Sequence, residues 1–314
     1  MTTRFLGLEF RPVRLDDKAV LQAHLRRFPQ RISGYTFASL VAWATAFGFE
    51  WARMSDECLL VSRPFGGLGE RHLLQPLGVV SPGCCETLLR EAERLPYPLR
   101  LLSVSKEFLA AHAELGARFT VAEDRAGANY LYLASDLGDL PGRRYAKKRN
   151  LVAQFLAQNP DWEVAPLDVR CGPACVNVLL ALARGQGVPE DDPSLRAELA
   201  ALDFTMRHFD ELEQGGLMIR IRGEPVAFSV YEPLDAEVTA VHFEKADRAY
   251  KGVFQVVNRE SARRIQASGA RIVNREEDLG DEGLRQAKLS YHPLEILPIY
   301  NLTLLPPGVP PPPR

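Results

Sequence analysis

The sequence lacks the short motifs that identify several large enzyme classes. It contains no GxGxxG, GxxxxGK[ST], HExxH or GxSxG pattern, which argues against dinucleotide enzymes, nucleotide hydrolases, zinc peptidases and serine hydrolases. Its five cysteines are scattered, and the one CGPAC pair, Cys171 and Cys175, has no second pair or nearby histidine. We therefore predict reduced thiols, with no disulfide framework and no bound metal.

Long apolar runs and an excess of one charge are also missing. No stretch approaches the roughly 18 uninterrupted apolar residues of a membrane-spanning helix. The opening residues MTTRFLGLEF do not form a signal peptide, so we expect a cytoplasmic protein. The formal net charge is -2, so any polyanion must be held by a local basic patch rather than by a global field.

The length and the apolar spacing indicate a two-domain α/β chain. At 314 residues, 46% of them hydrophobic, the chain can build more than one core. The pattern predicts a helix over 33–49 and a hairpin formed by 59–62 and 71–76. It also predicts helices over 85–94 and 106–115 around a strand at 99–104. Such alternation is typical of α/β layering.

One unit of strand, glycine-containing loop and helix occurs twice, roughly 110 residues apart. The first copy has a strand at 129–133 and a loop through Gly142, and the second has a strand at 238–243 and a loop through Gly252. Turn-forming residues are frequent between the copies, at 159–173. We therefore predict domains at 1–165 and 166–305, followed by a Pro-rich tail at 306–314.

A basic cluster, GRRYAKKRN, begins the helix of the first copy. Cations are disfavoured at a helix N-terminus, so an anion is expected to offset them. One interpretation is a phosphate or tRNA site, and the other is a solvated basic face that pairs with acidic residues. The residues concerned are Arg143, Arg144, Lys147, Lys148 and Arg149.

The second copy contains a histidine close to a carboxylate. Strand alternation predicts that His242 and Glu244 share one face. This pair can transfer protons, but a lone strand histidine can equally be a structural residue.

The segment from Asn274 to Tyr291 is the richest in charge. A strand over 271–278 is expected to place Asn274, Glu276 and Asp278 on one face and Arg275 on the other. So much polarity at a strand end is costly to bury without partners. The segment is therefore an active site in an open cleft or an internal salt-bridge network.

The same segment then predicts a helix that starts at Asp281 and Glu282. Its buried stripe is predicted to be Leu284, Ala287 and Tyr291. Arg285 and Lys288 would then project together towards the acidic strand end.

Together these segments resemble a known family. The matching stretches are SGYTF with Trp43, YLY with GRRYAKKRN, HFEKAD with Gly252, Gln255 and Asn258, and NREEDLGDEGLRQAKLSYHP. They resemble the C-terminal catalytic domain of lysylphosphatidylglycerol synthases and the soluble proteins grouped with it. The resemblance implies two tandem GNAT-like domains of the α/β (α+β) class, each a mixed, mostly antiparallel sheet flanked by helices.

The resemblance also implies a function. Membrane-bound members of the family move an amino acid from aminoacyl-tRNA onto a lipid hydroxyl, whereas the transmembrane region that accompanies them is absent from this sequence. We therefore expect an aminoacyltransferase that acts on a lipid, peptide or small-molecule acceptor. Aminoacyl-tRNA would be its donor and partner, with peripheral lipid contact and no required cofactor. The polar residue that usually follows the first serine of the family is Gly34 here.

Residue roles follow from this hypothesis. The candidate catalytic residues are His242, Glu244, Glu276, Asp278, Arg285 and Lys288, of which Glu276 or Asp278 would orient the acceptor or the α-ammonium. Arg285 and Lys288 would stabilise an oxyanion or the terminal phosphate. The candidate substrate-binding residues are Asn274, Arg275, Tyr291, Lys245, Gly252 and Asn258. The basic cluster would hold the tRNA.

Two other functions remain open on the sequence. The same fold can serve an acetyl-CoA-dependent N-acyltransferase, since a pyrophosphate suits a strand-loop-helix junction. The third alternative is a catalytically inactive ligand-binding protein.

Overall fold

A computed structural model describes residues 2–67 and 69–305 of the chain, which form two compact units. The described residues of the first unit are those up to Asn129, then Glu277–Asp281 and 297–305. The second unit comprises Tyr130–Glu276 and Glu282–Ile296. The change of unit after Asn129 differs from the boundary predicted at 165. The predicted tail at 306–314 lies outside the described residues.

The first unit is built on a mixed sheet. Its order is β1-β2-β3-β4-β5-β7-β16-β8, with β6 paired to β4, and all pairs are antiparallel except β5 with β7. The strands are β1 Thr3–Phe5, β2 Leu8–Pro12, β3 Glu50–Ser55, β4 Cys58–Pro64, β5 Arg71–Leu74, β6 Leu77–Gly78, β7 Arg100–Ser105, β8 Phe119–Glu123 and β16 Ile299–Leu304.

Helices flank this sheet, and its apolar side chains form one core. The helices are α1 Lys18–Arg27, α2 Phe37–Ala42, α3 Ala44–Phe47, α4 Pro82–Ala92, α5 Lys106–Ala111 and α6 Ala113–Gly116. The helix predicted over 33–49 is found as α2 and α3, interrupted at Trp43. Thr36 caps α2 by accepting a hydrogen bond from the amide of Ser39 at 3.0 Å. The predicted hairpin is confirmed by the antiparallel pairing of β4 with β5.

The second unit has its own mixed sheet, in the order β10-β11-β12-β13-β14-β9-β15. The strands are β9 Asn129–Leu133, β10 Trp162–Pro166, β11 Gly215–Ile221, β12 Glu224–Pro233, β13 Val238–Ala246, β14 Ile272–Asn274 and β15 Glu295–Leu297. The helices are α7 Ala134–Asp139, α8 Ala146–Gln158, α9 Gly172–Gln186, α10 Pro193–Arg207, α11 Val253–Ala267 and α12 Glu282–Leu289. Residues 130–165 join this unit because β9 pairs with β14 and β10 pairs with β11.

Both copies of the predicted strand-loop-helix unit lie in the second unit. The first copy is β9 and α8, and the second is β13 and α11. The short helix α7 inside the first loop was not predicted, because its sequence ASDLGD is polar and contains glycine. The internal repeat therefore does not correspond to one copy in each compact unit.

The strand predicted over 271–278 is wrong in its length. The strand β14 ends at Asn274, and the backbone then takes positive φ values of 58° at Glu276 and 53° at Leu279. The regular strand conformation is therefore lost at Glu276. This irregular backbone carries most of the predicted charged residues.

The predicted buried stripe of α12 is also wrong. Leu284 is 38% exposed and Ala287 is exposed, whereas Lys288 is buried with only 6% of its surface exposed. Tyr291 is buried as predicted, but it lies beyond the end of the helix.

Two sequence features can be stated for the whole described part of the chain. None of its helices combines the length and apolar character needed to cross a membrane. Each of the five cysteines is a free thiol, with Cys58 and Cys175 buried.

Candidate functional site

The candidate site of the second unit begins at an irregularity in strand β13. The pairing with β12 joins Phe243 to Val230 and Val241 to Tyr231, so His242 has no partner in the register. A β-bulge of this kind turns a side chain away from the normal alternation. The direction of the His242 imidazole is therefore set by the bulge and not by the regular alternation of the strand.

The imidazole of His242 lies between two carboxylates. Its Nε2 atom is 2.7 Å from Oε1 of Glu232 on β12, and its Nδ1 atom is 2.8 Å from Oε1 of Glu276 after β14. The side chain of His242 is 8% exposed and that of Glu276 is 26% exposed. The structure thus pairs His242 with Glu232 and Glu276, not with Glu244 as strand alternation predicted.

This arrangement fixes the charge of the histidine. An ionised carboxylate only accepts hydrogen bonds, so two of them require both ring nitrogens of His242 to donate. Burial opposes the charged form, but the hydrogen bonds and the charges of Glu232 and Glu276 outweigh burial and raise the pKa of His242 to about 10. An imidazolium has no free lone pair, so only the two carboxylates of this group can accept a proton. Of these, Glu276 is 26% exposed and Glu232 is 10% exposed, so Glu276 is the more accessible.

Glu276 is held in place by its backbone as well as by His242. Its φ of 58° is unusual for a residue other than glycine. Its amide donates to Oδ1 of Asn274 at 2.8 Å, and its carbonyl accepts from the amide of Tyr130 at 3.1 Å. Asn274 is fully buried and shapes this turn through that hydrogen bond, while its predicted role in substrate binding stays a prediction.

Glu244 belongs to a second polar cluster, next to the first on β13. Its Oε1 atom accepts from Nη2 of Arg275 at 2.6 Å, and its Oε2 atom accepts from Nδ2 of Asn258 on α11 at 3.1 Å. Two consecutive side chains, Arg275 and Glu276, thus both bind residues of β13, Glu244 and His242. Glu244 pairs with Ser229, whereas His242 binds Glu232, and these two residues of β12 are three apart and so point to opposite faces. Arg275 and Glu276 therefore reach opposite faces of the sheet, in agreement with the prediction.

Aromatic rings surround the guanidinium of Arg275. Its central carbon lies 5.0 Å from the ring centre of Tyr291 and 5.6 Å from that of Tyr132. The ammonium of Lys148 lies 4.2 Å from the same Tyr291 ring and donates to Oγ of Ser290 at 2.7 Å. Burial, and then the charge of Arg275, lower the pKa of Lys148. The side chain of Lys148 therefore shares the Tyr291 ring with Arg275.

The two cations of α12 do not project together. The buried ammonium of Lys288 donates to the backbone carbonyl of Arg275 and lies 5.5 Å from the ring centre of Tyr130. Arg285 makes an ion pair of 3.6 Å with Glu282 one turn away. Lys288 thus holds the turn that carries Arg275, while Arg285 lies nearer the surface.

Asp278 belongs to the first unit and is fully buried there. It accepts from Nη1 of Arg125 at 3.1 Å and from the amide of Gly280 at 2.9 Å. These bonds are typical of a carboxylate that fixes a turn. The predicted role of Asp278 in orienting the acceptor or the α-ammonium stays a prediction.

Two further predicted residues have structural contacts. Lys245 makes an ion pair of 2.6 Å with Glu198 of α10. Gly252 caps α11 with a φ of 88°, and a Cβ atom there would collide with the carbonyl oxygen of Leu151. Glycine is therefore required at 252 by the backbone, whatever ligand the unit binds.

The basic cluster at the start of α8 is only partly free. Arg149 donates to the carbonyls of Leu140 at 2.5 Å and Gly142 at 2.6 Å, and Arg144 makes an ion pair of 2.6 Å with Asp136. Arg143 and Lys147 are exposed and make no hydrogen bond or ion pair within residues 2–67 and 69–305. These two cations are the best placed of the cluster to meet an anion.

Sequence reasoning missed Glu232, Ser229 and Tyr132. Glu232 and Ser229 lie on β12, which reads as an ordinary apolar strand, and Tyr132 is part of NYLYL. A signal existed only for Glu232, since a carboxylate inside an apolar strand requires a partner when it is buried. Over the described part of the chain, no group of three His, Cys, Asp or Glu side chains is arranged to hold a metal ion.

Similar structures share this architecture. A crystal structure of a conserved protein of unknown function from Bacteroides thetaiotaomicron VPI-5482 is 30% identical, with a TM-score of 0.85 over 94% of this chain and 99% of that one. L-PGS from Bacillus licheniformis is 14% identical, with a TM-score of 0.64 over 92% of each chain. A tandem GNAT protein from the clavulanic acid biosynthesis pathway is 12% identical, with a TM-score of 0.50 over 94% of this chain and 98% of that one.

These likenesses confirm the predicted tandem GNAT-like fold. The comparison with curated proteins gave no match. The family model described as phosphatidylglycerol lysyltransferase, C-terminal, matches residues 25–303. The chain therefore belongs to the phosphatidylglycerol lysyltransferase C-terminal family.

Proposed function

We propose that this protein is an aminoacyltransferase that moves an amino acid from aminoacyl-tRNA to a hydroxyl or amine acceptor. Membership of a transferase family supports the reaction class. Transfer from an ester to such an acceptor requires approximation, a proton acceptor and charge stabilisation, and none of these demands a cofactor.

The observation that carries the proposal is the fixed and partly exposed carboxylate of Glu276. Its Oε1 atom is bound to the charged His242, and its Oε2 atom makes no hydrogen bond inside the described chain. The positive φ holds this carboxylate at the rim of the buried group, and such strain is frequent at functional sites. Glu276 is therefore suited to accept a proton from an incoming nucleophile.

In the proposed reaction, the Glu276 carboxylate both accepts a proton and returns it. The acceptor oxygen or nitrogen forms a bond to the ester carbonyl carbon, and its proton passes to Glu276. The bond between that carbon and the ribose oxygen of the tRNA then breaks. Glu276 returns the proton to the ribose oxygen, so that His242 stays protonated throughout.

The remaining parts of the donor have candidate contacts. Arg143 and Lys147 are free to bind phosphates of the tRNA. Arg285, whose side chain is 25% exposed, remains a candidate for the terminal phosphate or the oxyanion. The acceptor is a lipid, a peptide or a small molecule. The protein would contact a lipid surface peripherally.

A transfer assay tests the function. The purified protein is incubated with radiolabelled aminoacyl-tRNAs and a cell extract, and lipid, peptide and small-molecule products are separated. We expect label in one product class. Glu276→Gln should remove it, while the matched change Glu224→Gln at an exposed position should not.

Two outcomes would contradict the proposal. Absence of labelled product with every aminoacyl-tRNA would reject aminoacyl transfer. Stabilisation of the protein by acetyl-CoA, together with acetylation of an added amine, would instead support the N-acyltransferase alternative.

A further inference from the structure

The strand β8 forms one end of the sheet in the first unit. It pairs with β16 on one side, and no strand among residues 2–67 and 69–305 pairs with it on the other side. Its residues 120–123 are all exposed to solvent. An exposed edge strand presents unpaired backbone groups that another chain can bind. The β8 edge is therefore a candidate interaction surface.

The backbone groups on the open side of β8 belong to Phe119, Val121 and Glu123. On the side of β16, the amide of Asp124 donates to the carbonyl of Ile299 at 2.8 Å. Backbone hydrogen bonds of an antiparallel strand alternate between its two sides, so the even-numbered residues of β8 bond to β16. The amides and carbonyls of the three odd-numbered residues therefore point away from the sheet.

The other ends of the two described sheets are shorter or blocked. The strands β1 and β15 have three residues each, and β10 ends in Pro166, which cannot donate a backbone hydrogen bond. The strand β8 has five residues, contains neither proline nor lysine, and pairs with β16 without a bulge. It therefore lacks the devices that usually protect an edge strand from pairing.

The β8 edge is complementary to itself in one register. An antiparallel pair of β8 strands with a two-fold axis at Val121 joins every outward amide to an outward carbonyl. Val121, which is 43% exposed, then packs against Val121 of the second copy. The same register places Arg118, half exposed, opposite Asp124 of the second copy, so opposite charges meet on both sides of the axis.

We propose that β8 pairs with β8 of a second copy of this chain, which gives a symmetric dimer with one continuous sheet through both first units. A second copy fits better than an unrelated extended peptide, because the register that pairs all the outward groups also pairs Arg118 with Asp124. A two-fold contact of this kind is closed, so association stops at the dimer. The contact is small, so the dimer is weak and reversible.

Sedimentation velocity of the full chain tests the proposal, from about 1 μM to about 1 mM, which spans the affinities of small interfaces. We expect a monomer–dimer equilibrium that shifts with concentration. Val121→Lys should raise the dissociation constant at least about tenfold, because it places two ammonium groups together at the axis. The matched control is Val79→Lys, at a valine of the same unit that is 44% exposed, and it should dimerise like the parent protein.

Val121→Pro tests the backbone contact separately. Proline removes only the outward amide, because the neighbours of Val121 on each side make the bonds to β16, so the melting temperature should change little. The dissociation constant should again rise at least about tenfold, since each copy loses one hydrogen bond to the other. If this variant is unstable, Val121→Lys, which leaves the backbone intact, decides the matter.

Arg118→Glu tests the charge pairing. It should weaken the dimer about threefold to tenfold, because it places a glutamate opposite Asp124 of the second copy. Arg94→Glu is the control, since Arg94 is an exposed arginine of the same unit with a surface ion pair to Glu91. This control should leave the dissociation constant unchanged.

Two results would overturn the proposal. One is a monomer at every concentration, and the other is a dimer that neither Val121→Lys nor Val121→Pro weakens. Association is measured without tRNA or acceptor, so the outcome does not depend on the proposed function.

Discussion

The Nδ1 atom of His242 lies 2.8 Å from Oε1 of Glu276, although 34 positions separate the two residues in the sequence. A bulge in β13 directs the histidine, and a left-handed turn after β14 directs the glutamate. The contact therefore depends on two local departures from regular strand geometry, and it is the basis of the predictions on activity and on pH.

Glu276→Gln is expected to reduce the transfer rate about 100- to 1000-fold, because the amide cannot accept the nucleophile's proton. The melting temperature should fall moderately, since glutamine still accepts a hydrogen bond from His242 but no longer offsets its buried charge. Single-turnover rates for this variant and for Glu224→Gln provide the measurement. Equal rates for Glu276→Gln and the parent protein would exclude Glu276 as the proton acceptor.

The contribution of His242 to stability should depend on pH. Its folded-state pKa is raised to about 10 from an unfolded value of about 6.5, so the charged form favours the folded state. That stabilisation is complete below about pH 6.5 and is lost as the pH rises towards about 10. The unfolding free energies of the parent and His242→Gln should accordingly converge between pH 6 and pH 10, and a constant difference would contradict the charge assignment.

Gly252→Ala is expected to destabilise the second unit by about 2–4 kcal/mol, because it combines a positive φ with a collision against the carbonyl of Leu151. Gly223→Ala is the matched control, since Gly223 has a φ of 81° and open space around it. The control should cost only about 1 kcal/mol. Urea unfolding of both variants measures the difference, and equal losses would show that the collision is relieved.

Lys288→Ala should lower stability by about 2–4 kcal/mol, because it leaves the carbonyl of Arg275 unpaired in a buried place. Arg285→Ala should stay within about 0.5 kcal/mol of the parent, since its ion pair with Glu282 is near the surface. Unfolding curves for both variants test this. A transfer rate lost in Arg285→Ala at unchanged stability would assign Arg285 to the donor.

Arg143→Ala combined with Lys147→Ala should weaken tRNA binding and make it less dependent on salt. Each phosphate contact that is lost lowers the slope of log affinity against log salt by about 0.7–0.9. Fluorescence anisotropy over a salt series measures the slope. Arg271→Ala, an exposed arginine of the same unit, is the control. An unchanged slope in the double variant would place the tRNA elsewhere.

The sequence was most informative where local pattern and packing agree. The repeated strand-loop-helix unit was recognised because its apolar spacing matches the buried faces of β9, α8, β13 and α11. Gly252 was singled out, but only the collision with Leu151 explains why glycine stands there. The family was recognised from motifs that cover almost the whole chain, and the matching family model agrees.

The partners of the charged residues could not be obtained from spacing. Strand alternation joined His242 to Glu244, whereas the bulge joins it to Glu232 and Glu276. Periodicity likewise placed Leu284 in the buried stripe of α12 and Lys288 beside Arg285, whereas Leu284 is exposed and Lys288 is buried. Periodicity assumes regular backbone, so it fails at a bulge, at a positive φ and at a buried ammonium.

The sequence alone determined the α/β character, the family and the segments in which the candidate residues occur, because apolar period and motif are local properties. Only the tertiary structure decided which carboxylates bind His242, which oxygens Arg275 and Asn258 bind, and which buried polar atoms of the described residues have no hydrogen-bond partner. Those outcomes depend on contacts between residues distant in sequence, and two irregular backbone positions set their geometry.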